Sequence, residues 1–221
     1  MKRSLLLACF VLLNCSGYLF AQSPQRFEKD IRTIRSFDKI YTPPAHPILF
    51  VGSSSIRKWD YLQQTFGSYV VLNRGFGGAV LNDVTYYANE IIFPYEPRQI
   101  VIYVGENDLP EKTATADSVL NRFKVLYATI RSKLPTVPLI FISMKPSPSR
   151  AAFFDKARES NALIKSFLAN EKNTVYVDIF SKMLDKAGNP RKELFLGDML
   201  HMNLQGYAIW EKAIKPYLLR R

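Results

Sequence analysis

The stretch Ile48-Leu49-Phe50-Val51-Gly52-Ser53-Ser54-Ser55 decides the fold of this chain. Its first four residues are apolar without interruption, which is typical of a strand that is buried on both faces. A glycine and three serines then end the apolar run and indicate a sharp turn. The residues that follow, up to position 64, are predicted to be helical, so the stretch predicts a strand, a turn and a helix (53–64) in direct succession.

The same succession of strand and helix continues to the end of the chain. Because strands of nearly continuous apolar residues alternate with helices, the pattern predicts a parallel sheet that is covered by helices on both faces. Ligands of such folds bind beyond the carboxyl ends of the strands, where the strand order reverses. The further predicted strands are 69–72, 99–104, 137–143 and 174–178, and the further predicted helices are 81–92, 116–134, 151–169 and 203–219.

The composition suits one globular domain with a full hydrophobic core. Of the 221 residues, 48% are hydrophobic and 22% are charged. The formal net charge is +11, and Lys2 and Arg3 contribute two of these charges. The basic residues are scattered, without a dense run and without the aromatic residues that accompany nucleic-acid binding. We therefore expect no nucleic-acid partner, and we interpret the charge as a solvated basic surface, with attraction to an anionic polymer as the alternative.

The N-terminus has the pattern of an export signal. A basic start is followed by an apolar run over residues 5–13 and by residues 19–21, which suit a signal peptidase. This pattern predicts a signal peptide over 1–21 and an exported domain over 22–221, located in the periplasm or outside the cell. The apolar run is too short to span a membrane, so we expect no stable membrane insertion.

Two alternatives apply to this N-terminal segment. Leu12-Leu13-Asn14-Cys15 resembles a bacterial lipoprotein box, which would leave the exported protein lipid-anchored through Cys15, although Asn14 departs from the small residue expected there. A buried N-terminal helix is the other alternative, and simple cleavage is favoured over both. Cys9 and Cys15 are the only cysteines, so cleavage of either kind leaves a domain without a disulfide.

Four short segments, far apart in the chain, carry the residue types that acyl transfer requires. A serine can supply a hydroxyl nucleophile, a glycine and an asparagine can supply N–H donors to an oxyanion, and a histidine beside a carboxylate can act as the base. Taken singly, each segment has an ordinary structural alternative, such as a helix cap, a tight turn or an Asx turn. The segments are Gly52-Ser53-Ser54-Ser55, Asn73-Arg74-Gly75-Phe76-Gly77-Gly78, Gly105-Glu106-Asn107-Asp108 and Asp198-Met199-Leu200-His201.

In this order the four segments resemble sequence blocks of the SGNH, or GDSL-like, hydrolase family. The family's usual Gly-Asp-Ser-Leu corresponds here to a glycine and three serines, and the match makes Ser54 the nucleophile. Ser53 and Ser55 compete for that role, but the spacing from Gly52 and the Trp59 that closes the block favour Ser54. A serine at a strand-to-helix turn can also present its hydroxyl outward.

The resemblance also implies the other parts of the site. The oxyanion hole would consist of the backbone N–H groups of Ser54 and Gly78 and the side-chain amide of Asn107. His201 would take the proton of the serine, and Asp198 would orient its imidazole ring. The only other histidine of the chain precedes the first strand and lies away from every motif.

For the fold, the resemblance implies an α/β, flavodoxin-like, three-layer α/β/α architecture with a five-stranded parallel sheet. For function, it implies a serine esterase without cofactor or metal, acting on a small-molecule or glycan ester. Acetyl esters of carbohydrates are favoured because the chain has no long apolar insertion that could form a lipase lid, with lysophospholipid or other lipid esters as the alternative. A non-catalytic glycan-binding protein and a metal phosphoesterase are alternatives of other classes, and the sequence favours no oligomeric state.

Overall fold

The computed structural model describes residues 26–220, and the predicted signal peptide, 1–21, and Cys15 lie outside them. The described strands are β1 (Ile48–Gly52), β2 (Val71–Gly75), β3 (Gln99–Tyr103), β4 (Leu139–Ile142) and β5 (Thr174–Val177). They form one parallel sheet in the order β2-β1-β3-β4-β5.

Two layers of helices cover the sheet. One layer contains α1 (Glu28–Ile40), α4 (Leu81–Tyr86), α5 (Ala88–Ile91), α6 (Ala116–Lys133) and α7 (Phe154–Leu168). The other contains α2 (Ser54–Arg57), α3 (Leu62–Thr65) and α8 (Leu204–Ile214). Short 3-10 turns lie at Phe93–Tyr95, Pro148–Phe153, Ser181–Met183, Lys192–Leu194 and Lys215–Tyr217. No helix between residues 26 and 220 is long and apolar enough to cross a membrane.

The apolar residues of β1 explain why the sheet is covered on both faces. Leu49 and Val51 pack into the core under the first helix layer, and Ile48 and Phe50 pack into the core under the second. Because successive side chains of a strand point to opposite faces, an uninterrupted apolar strand needs a cover on each side. The predicted flavodoxin-like α/β/α fold with five parallel strands is confirmed.

The strand order reverses between β1 and β3. The chain passes from β1 outward to β2 and then returns to β3 on the other side of β1. In open α/β sheets this reversal opens a crevice at the carboxyl ends of the two strands, and ligands bind in it. The serine turn follows β1 and the segment 105–108 follows β3, so both predicted segments lie at this crevice.

Two predicted helices are each divided in the structure. Residues 53–64 form α2 and α3, separated by 58–61, because Trp59 turns into the core and packs its ring 5.5 Å from that of Phe66. The segment 81–92 likewise forms α4 and α5, joined at a residue whose backbone is not helical.

Strand β2 begins two residues later than predicted and continues through polar residues. Its register pairs Gly52 of β1 with Gly75, so backbone pairing with β1 extends β2 beyond its apolar part, 71–72. Apolar content alone therefore placed this strand too early in the chain.

Helix α1 was not predicted from the sequence, although apolar residues recur every three positions along it; of these only Ile31 is buried. A polar cluster holds it to the body of the domain. The Asp38 carboxylate pairs with the Arg74 guanidinium and accepts a hydrogen bond from the Tyr95 hydroxyl, with the two oxygens 2.5 Å apart. Burial, together with the hydrogen bond to Asp38, raises the pKa of Tyr95 to about 12. We call these three residues the Asp38 cluster.

Candidate active site

The turn after β1 leaves one of its three serines accessible. Gly52 has a φ of +140°, and a Cβ atom there would lie 1.9 Å from the carbonyl oxygen of Tyr103, so the position requires glycine. Ser53 and Ser55 are buried, with 3% and 2% of their surfaces exposed, whereas Ser54 is half-buried at the start of α2. The Ser53 side chain makes no capping hydrogen bond to the helix. Among the three, Ser54 therefore has the hydroxyl that a substrate can reach.

Three of the predicted residues form one chain of hydrogen bonds. The Oγ atom of Ser54 lies 3.0 Å from Nε2 of His201, although the two residues are 147 positions apart. The Nδ1 atom of the same ring lies 2.6 Å from Oδ2 of Asp198. An ionised carboxylate only accepts hydrogen bonds, so in the neutral ring Nδ1 carries the proton and Nε2 accepts the hydroxyl proton of Ser54.

The loop that carries the histidine is held by its own hydrogen bonds. Oδ1 of Asp198 accepts the backbone N–H groups of Leu200 and His201, each at 2.9 Å, and Met199 turns the loop with a left-handed φ of +54°. Slight burial acts to raise the pKa of Asp198, but the hydrogen bonds from His201 and from the two backbone N–H groups outweigh it and hold the pKa well below its usual range. Asp198 is therefore charged near neutral pH.

The two predicted oxyanion donors outside the serine turn lie on loops that a hydrogen bond joins. Gly78 follows β2, and its φ of +79° favours glycine. Asn107 follows β3, and its Nδ2 atom donates to the carbonyl oxygen of Ala79 at 3.0 Å. An amide nitrogen carries two hydrogens, so this bond uses one of them. The structure thus joins the loops after β2 and β3, the strands on either side of β1.

A buried carboxylate braces the Asn107 loop from behind. Asp108 is fully buried, and its two oxygens accept the backbone N–H of Leu81 and the guanidinium of Arg122, both at 3.1 Å. Burial raises the pKa of Asp108 to about 6, although both hydrogen bonds oppose the change. The first residue of α4 and a residue of α6 therefore fix the position of this loop.

A groove of about 410 Å³ adjoins the serine turn and the histidine loop. Its walls are bonded directly to both: the Lys58 N–H donates to the Ser54 carbonyl at 2.8 Å, and the Leu196 N–H donates to the His201 carbonyl at 2.7 Å. Aromatic and aliphatic side chains form most of the wall, with a few polar groups among them. The lining residues are Lys58, Trp59, Asp60, Tyr61, Thr65, Leu196, Met202, Asn203, Leu204, Tyr207, Ala208 and Glu211.

The second histidine of the chain lies at the amino ends of the strands, opposite the serine turn. His46 precedes the amino end of β1, and its Nδ1 atom lies 3.0 Å from the carbonyl oxygen of Glu96. Between residues 26 and 220, no group of three or more His, Cys, Asp or Glu side chains is arranged to hold a metal ion.

The sequence did not point to a buried polar cluster beside Asn107. Glu106 occupies the position between the motif residues Gly105 and Asn107, and its carboxylate pairs with Lys145 from the loop after β4. The one available signal was a lysine directly after an apolar strand, which by itself indicates no contact. The pairing joins two loops that are far apart in the chain, so only the structure reveals it.

The comparisons with known proteins identify the family and the fold. Residues 50–209 match the GDSL-like Lipase/Acylhydrolase family. A Streptococcus pneumonia protein named for platelet activating factor has a TM-score of 0.75 at 22% identity, with 86% of this chain and 92% of that chain covered. A GDSL-like lipase from Bacteroides thetaiotaomicron has a TM-score of 0.70 at 18% identity, with 85% and 96% covered.

A third solved structure is a catalytic mutant of an acetylxylan esterase from Geobacillus stearothermophilus, with a TM-score of 0.60 at 14% identity and coverage of 78% of this chain and 94% of that one. At such identities these likenesses show the fold. The comparison with curated proteins gave no match. Because the family match spans most of the chain, it favours ester hydrolysis over a glycan-binding or metal phosphoesterase role. This protein belongs to the GDSL-like lipase/acylhydrolase family and is an ester hydrolase.

Proposed function

We propose that this ester hydrolase is an exported serine esterase in which Ser54 is the nucleophile, His201 the general base and Asp198 the orienting carboxylate. The observation that carries the proposal is the chain of hydrogen bonds from Ser54 Oγ through the imidazole ring to Asp198, at 3.0 and 2.6 Å. These distances lie within the reach that proton transfer requires. The accessibility of Ser54, against the burial of its two serine neighbours, supports the same assignment.

The proposed reaction has two acyl-transfer steps. Oγ of Ser54 attacks the ester carbonyl carbon while Nε2 of His201 takes the hydroxyl proton, and Asp198 stabilises the charged ring. As the bond to the leaving alcohol breaks, His201 returns the proton to the alcohol oxygen, and the acyl group stays on Ser54. A water molecule, deprotonated by the same ring, then attacks the acyl carbon; as the bond from that carbon to Oγ breaks, the ring returns the proton to Oγ, which releases the acid and restores Ser54.

Negative charge develops on the carbonyl oxygen in both steps. The proposed donors to it are the backbone N–H groups of Ser54 and Gly78 and the second amide hydrogen of Asn107, whose first hydrogen is bonded to Ala79. A neutral amide suits this role because it donates without titrating near neutral pH. The bond between Asn107 and the Ala79 carbonyl supports this role, because it holds the Asn107 amide against the residue that follows Gly78 before substrate arrives.

Acetyl and other short acyl esters of carbohydrates are the proposed substrates. The fold is shared with an acetylxylan esterase, which supports this class. The groove beside the site offers an exposed aromatic ring, Tyr61, together with polar side chains that can bond sugar hydroxyls, namely Asp60 and Glu211. The leaving alcohol must lie on the side of His201, which protonates it, and the groove is lined by Leu196 and Met202 from the segment that carries His201.

Lipid esters, such as lysophospholipids, are the second candidate substrates. Large apolar side chains are exposed around the histidine loop: Leu204 is 70% exposed, Leu196 is 44% exposed, and Met199 lies between Asp198 and His201. Exposed apolar groups close to a site favour an apolar ligand. An acyl chain or a lipid leaving group could cover them.

The proposed place of action is the periplasm or the extracellular space, after removal of residues 1–21. Lipid anchoring through Cys15 is the alternative and would hold the same domain at a membrane surface. The proposed partner is a small-molecule or glycan ester, and the net charge of +9 that remains when Lys2 and Arg3 are subtracted from +11 would favour an anionic polysaccharide among glycans.

The test is a direct comparison of the two substrate classes. Acetate release from acetylated xylo-oligosaccharides and fatty-acid release from lysophosphatidylcholine would be measured with the purified protein and with Ser54→Ala. We expect faster acetate release and no release by the variant. Faster fatty-acid release would favour the lipid candidate, and equal rates for the wild type and Ser54→Ala would refute the serine mechanism.

A further inference from the structure

A buried polar cluster lies beside the proposed oxyanion donor Asn107. Oε2 of Glu106 accepts hydrogen bonds from the ammonium of Lys145 and from the hydroxyl of Tyr103, the latter at 2.7 Å, and Oε1 accepts from the hydroxyl of Ser147. Glu106 is 4% exposed, Lys145 is 2% exposed, and the other two side chains are fully buried. We call these four residues the Glu106 cluster.

The ion pair in this cluster is unusual because both charges have left water. Burial lowers the pKa of Lys145, and the Glu106 carboxylate acts against that change. A buried ion pair contributes little net stability compared with apolar side chains of the same size, because desolvation offsets the attraction. Its directional hydrogen bonds can instead fix one arrangement of the loops that carry it.

The cluster connects the Asn107 loop to the serine turn. Glu106 is the residue before Asn107, so its three hydrogen bonds restrain the backbone from which the Asn107 side chain extends. The side chain of Ser55, the residue after Ser54, is in turn near enough to the Tyr103 hydroxyl to act on the pKa of that tyrosine. One buried carboxylate therefore lies two contacts from the proposed nucleophile and one residue from a proposed oxyanion donor.

The cluster also reaches the loop that carries the base. Lys145 and Ser147 belong to the segment after β4, and two residues later the Ser149 N–H donates to the carbonyl oxygen of Met199 at 3.0 Å. Met199 lies next to Asp198, and the charge of Asp198 is near enough to Lys145 to act on the pKa of that lysine. The ion pair is thus linked to every segment of the proposed site except the loop of Gly78.

We propose that Glu106 and Lys145 are positioning residues for ester hydrolysis, and that their ion pair holds the Asn107 loop in place relative to Ser54. This inference rests on the proposed function of Ser54 and Asn107. An oxyanion donor acts only within about 2.7–3.1 Å of the developing charge. A misplacement of about 1 Å in an active site can lower the rate about a hundredfold.

The decisive experiment is a mutant cycle on p-nitrophenyl acetate. The kcat and KM of the wild type, Glu106→Gln, Asn107→Ala and the double variant would be measured at a temperature where all four are folded. We expect Glu106→Gln to lower kcat about ten- to a hundredfold with KM within about twofold. In the Asn107→Ala background the same change should lower kcat less than about twofold, because no Asn107 amide remains to be positioned.

A purely structural role would give a different result. Glu106→Gln would then lower kcat by the same factor in both backgrounds, and that outcome would overturn the inference. The Asp38 cluster supplies the matched control, since it also joins an acid, a base and a tyrosine, but its acid lies on α1, away from the serine turn and the histidine loop. Asp38→Asn should leave kcat within about twofold, and a loss equal to that of Glu106→Gln would also overturn the inference.

Two further variants keep the test decisive if Glu106→Gln does not fold. Tyr103→Phe removes one hydroxyl from the cluster and Ser147→Ala removes another, and each enters the same cycle with Asn107→Ala. We expect losses of kcat that vanish without Asn107, whereas additive losses contradict the inference. Ser54→Ala separates the two proposals. If Ser54→Ala keeps the activity of the wild type, the proposed function is refuted. If Ser54→Ala is inactive but the losses in the mutant cycle are additive, only the positioning role is refuted.

Discussion

The two halves of the proposed catalytic pair are held in different ways. The serine turn is part of the core: Gly52 packs against the backbone of β3, and both serine neighbours of Ser54 are buried. The histidine loop is largely exposed and is stabilised by Asp198, which bonds two backbone N–H groups and the imidazole within four residues. The proposed nucleophile thus depends on the whole sheet, whereas the proposed base depends mainly on a local motif.

This difference separates what each half contributes. The sheet fixes the depth and direction of Ser54, and the strands beside it bring Gly78 and Asn107 to the same edge. The histidine loop reaches over that edge with a preformed tautomer, since the Asp198 carboxylate determines which ring nitrogen carries the proton. Changes that disturb the buried packing of the serine turn, such as a substitution of Gly52, should therefore affect folding and turnover together, whereas changes on the base side should affect turnover with little effect on the fold.

The largest expected effect is that of Ser54→Ala. Removing the nucleophile should lower kcat on p-nitrophenyl acetate by about four to six decades, with the thermal midpoint close to that of the wild type. Ser53→Ala is the matched control one residue away, because the Ser53 hydroxyl makes no capping bond. If Ser53→Ala were inactive and Ser54→Ala active, the assignment within the serine turn would be wrong.

On the base side, Asp198→Asn should lower kcat by about four decades. An amide can donate to Nδ1 and so favour the wrong tautomer, and it cannot stabilise the charged ring. The circular dichroism spectrum should be unchanged, because the loop is exposed and the sheet does not depend on it. A variant that lost its folded spectrum would show that the loop is not the independent motif described above.

Asn107→Ala should lower kcat by about two to three decades and change KM little, because an oxyanion donor acts on charge that develops in the transition state. Steady-state kinetics on the same ester would test this. The change also removes the bond to the Ala79 carbonyl, so a modest loss of stability is expected as well. A raised KM with unchanged kcat would show that Asn107 only binds substrate.

The sequence predicted the parts of the site that are local. Asp198 and His201 are three residues apart, so their contact can be inferred from the chain alone. The choice of Ser54 among three serines agrees with the burial of its neighbours, which depends on the packing of β1 against β3. Continuous apolar strands were sufficient for the fold class, because a strand that is apolar on both faces has few other solutions.

The features that the sequence did not predict are those that depend on contacts between distant segments. Helix α1 buries only Ile31 of its own residues, and a cluster with the distant residues Arg74 and Tyr95 holds it in place. Glu106 and Lys145 are 39 residues apart, and nothing in either segment indicates that both charges are buried together. The break at Trp59 likewise follows from packing in the core, which overrides the local helical pattern.

Two carboxylates, one on each side of the site, should respond to pH in opposite ways. Burial raises the pKa of Asp108 to about 6, so the folded state binds its proton more tightly than the unfolded state, and stability is lost as pH rises from about 4 to about 6. The pKa of Asp198 is held below its usual range by hydrogen bonds, so its contribution is present above pH 4 and is lost as pH falls further.

The smallest expected effect is therefore a pair of opposite trends in stability, measured by urea unfolding from pH 3 to pH 7. Between pH 4 and pH 7 the free energy of unfolding of the wild type should fall by up to about 3 kcal/mol relative to that of Asp108→Asn, because a shift of about two pKa units corresponds to that free energy. Relative to Asp198→Asn, the free energy of unfolding of the wild type should be higher by a constant amount above pH 4, and this difference should shrink below pH 4. The change should be smaller than that for Asp108, since Asp198 is exposed to solvent. Parallel trends for the two variants would mean that the buried serine side and the exposed base side do not differ in their electrostatics.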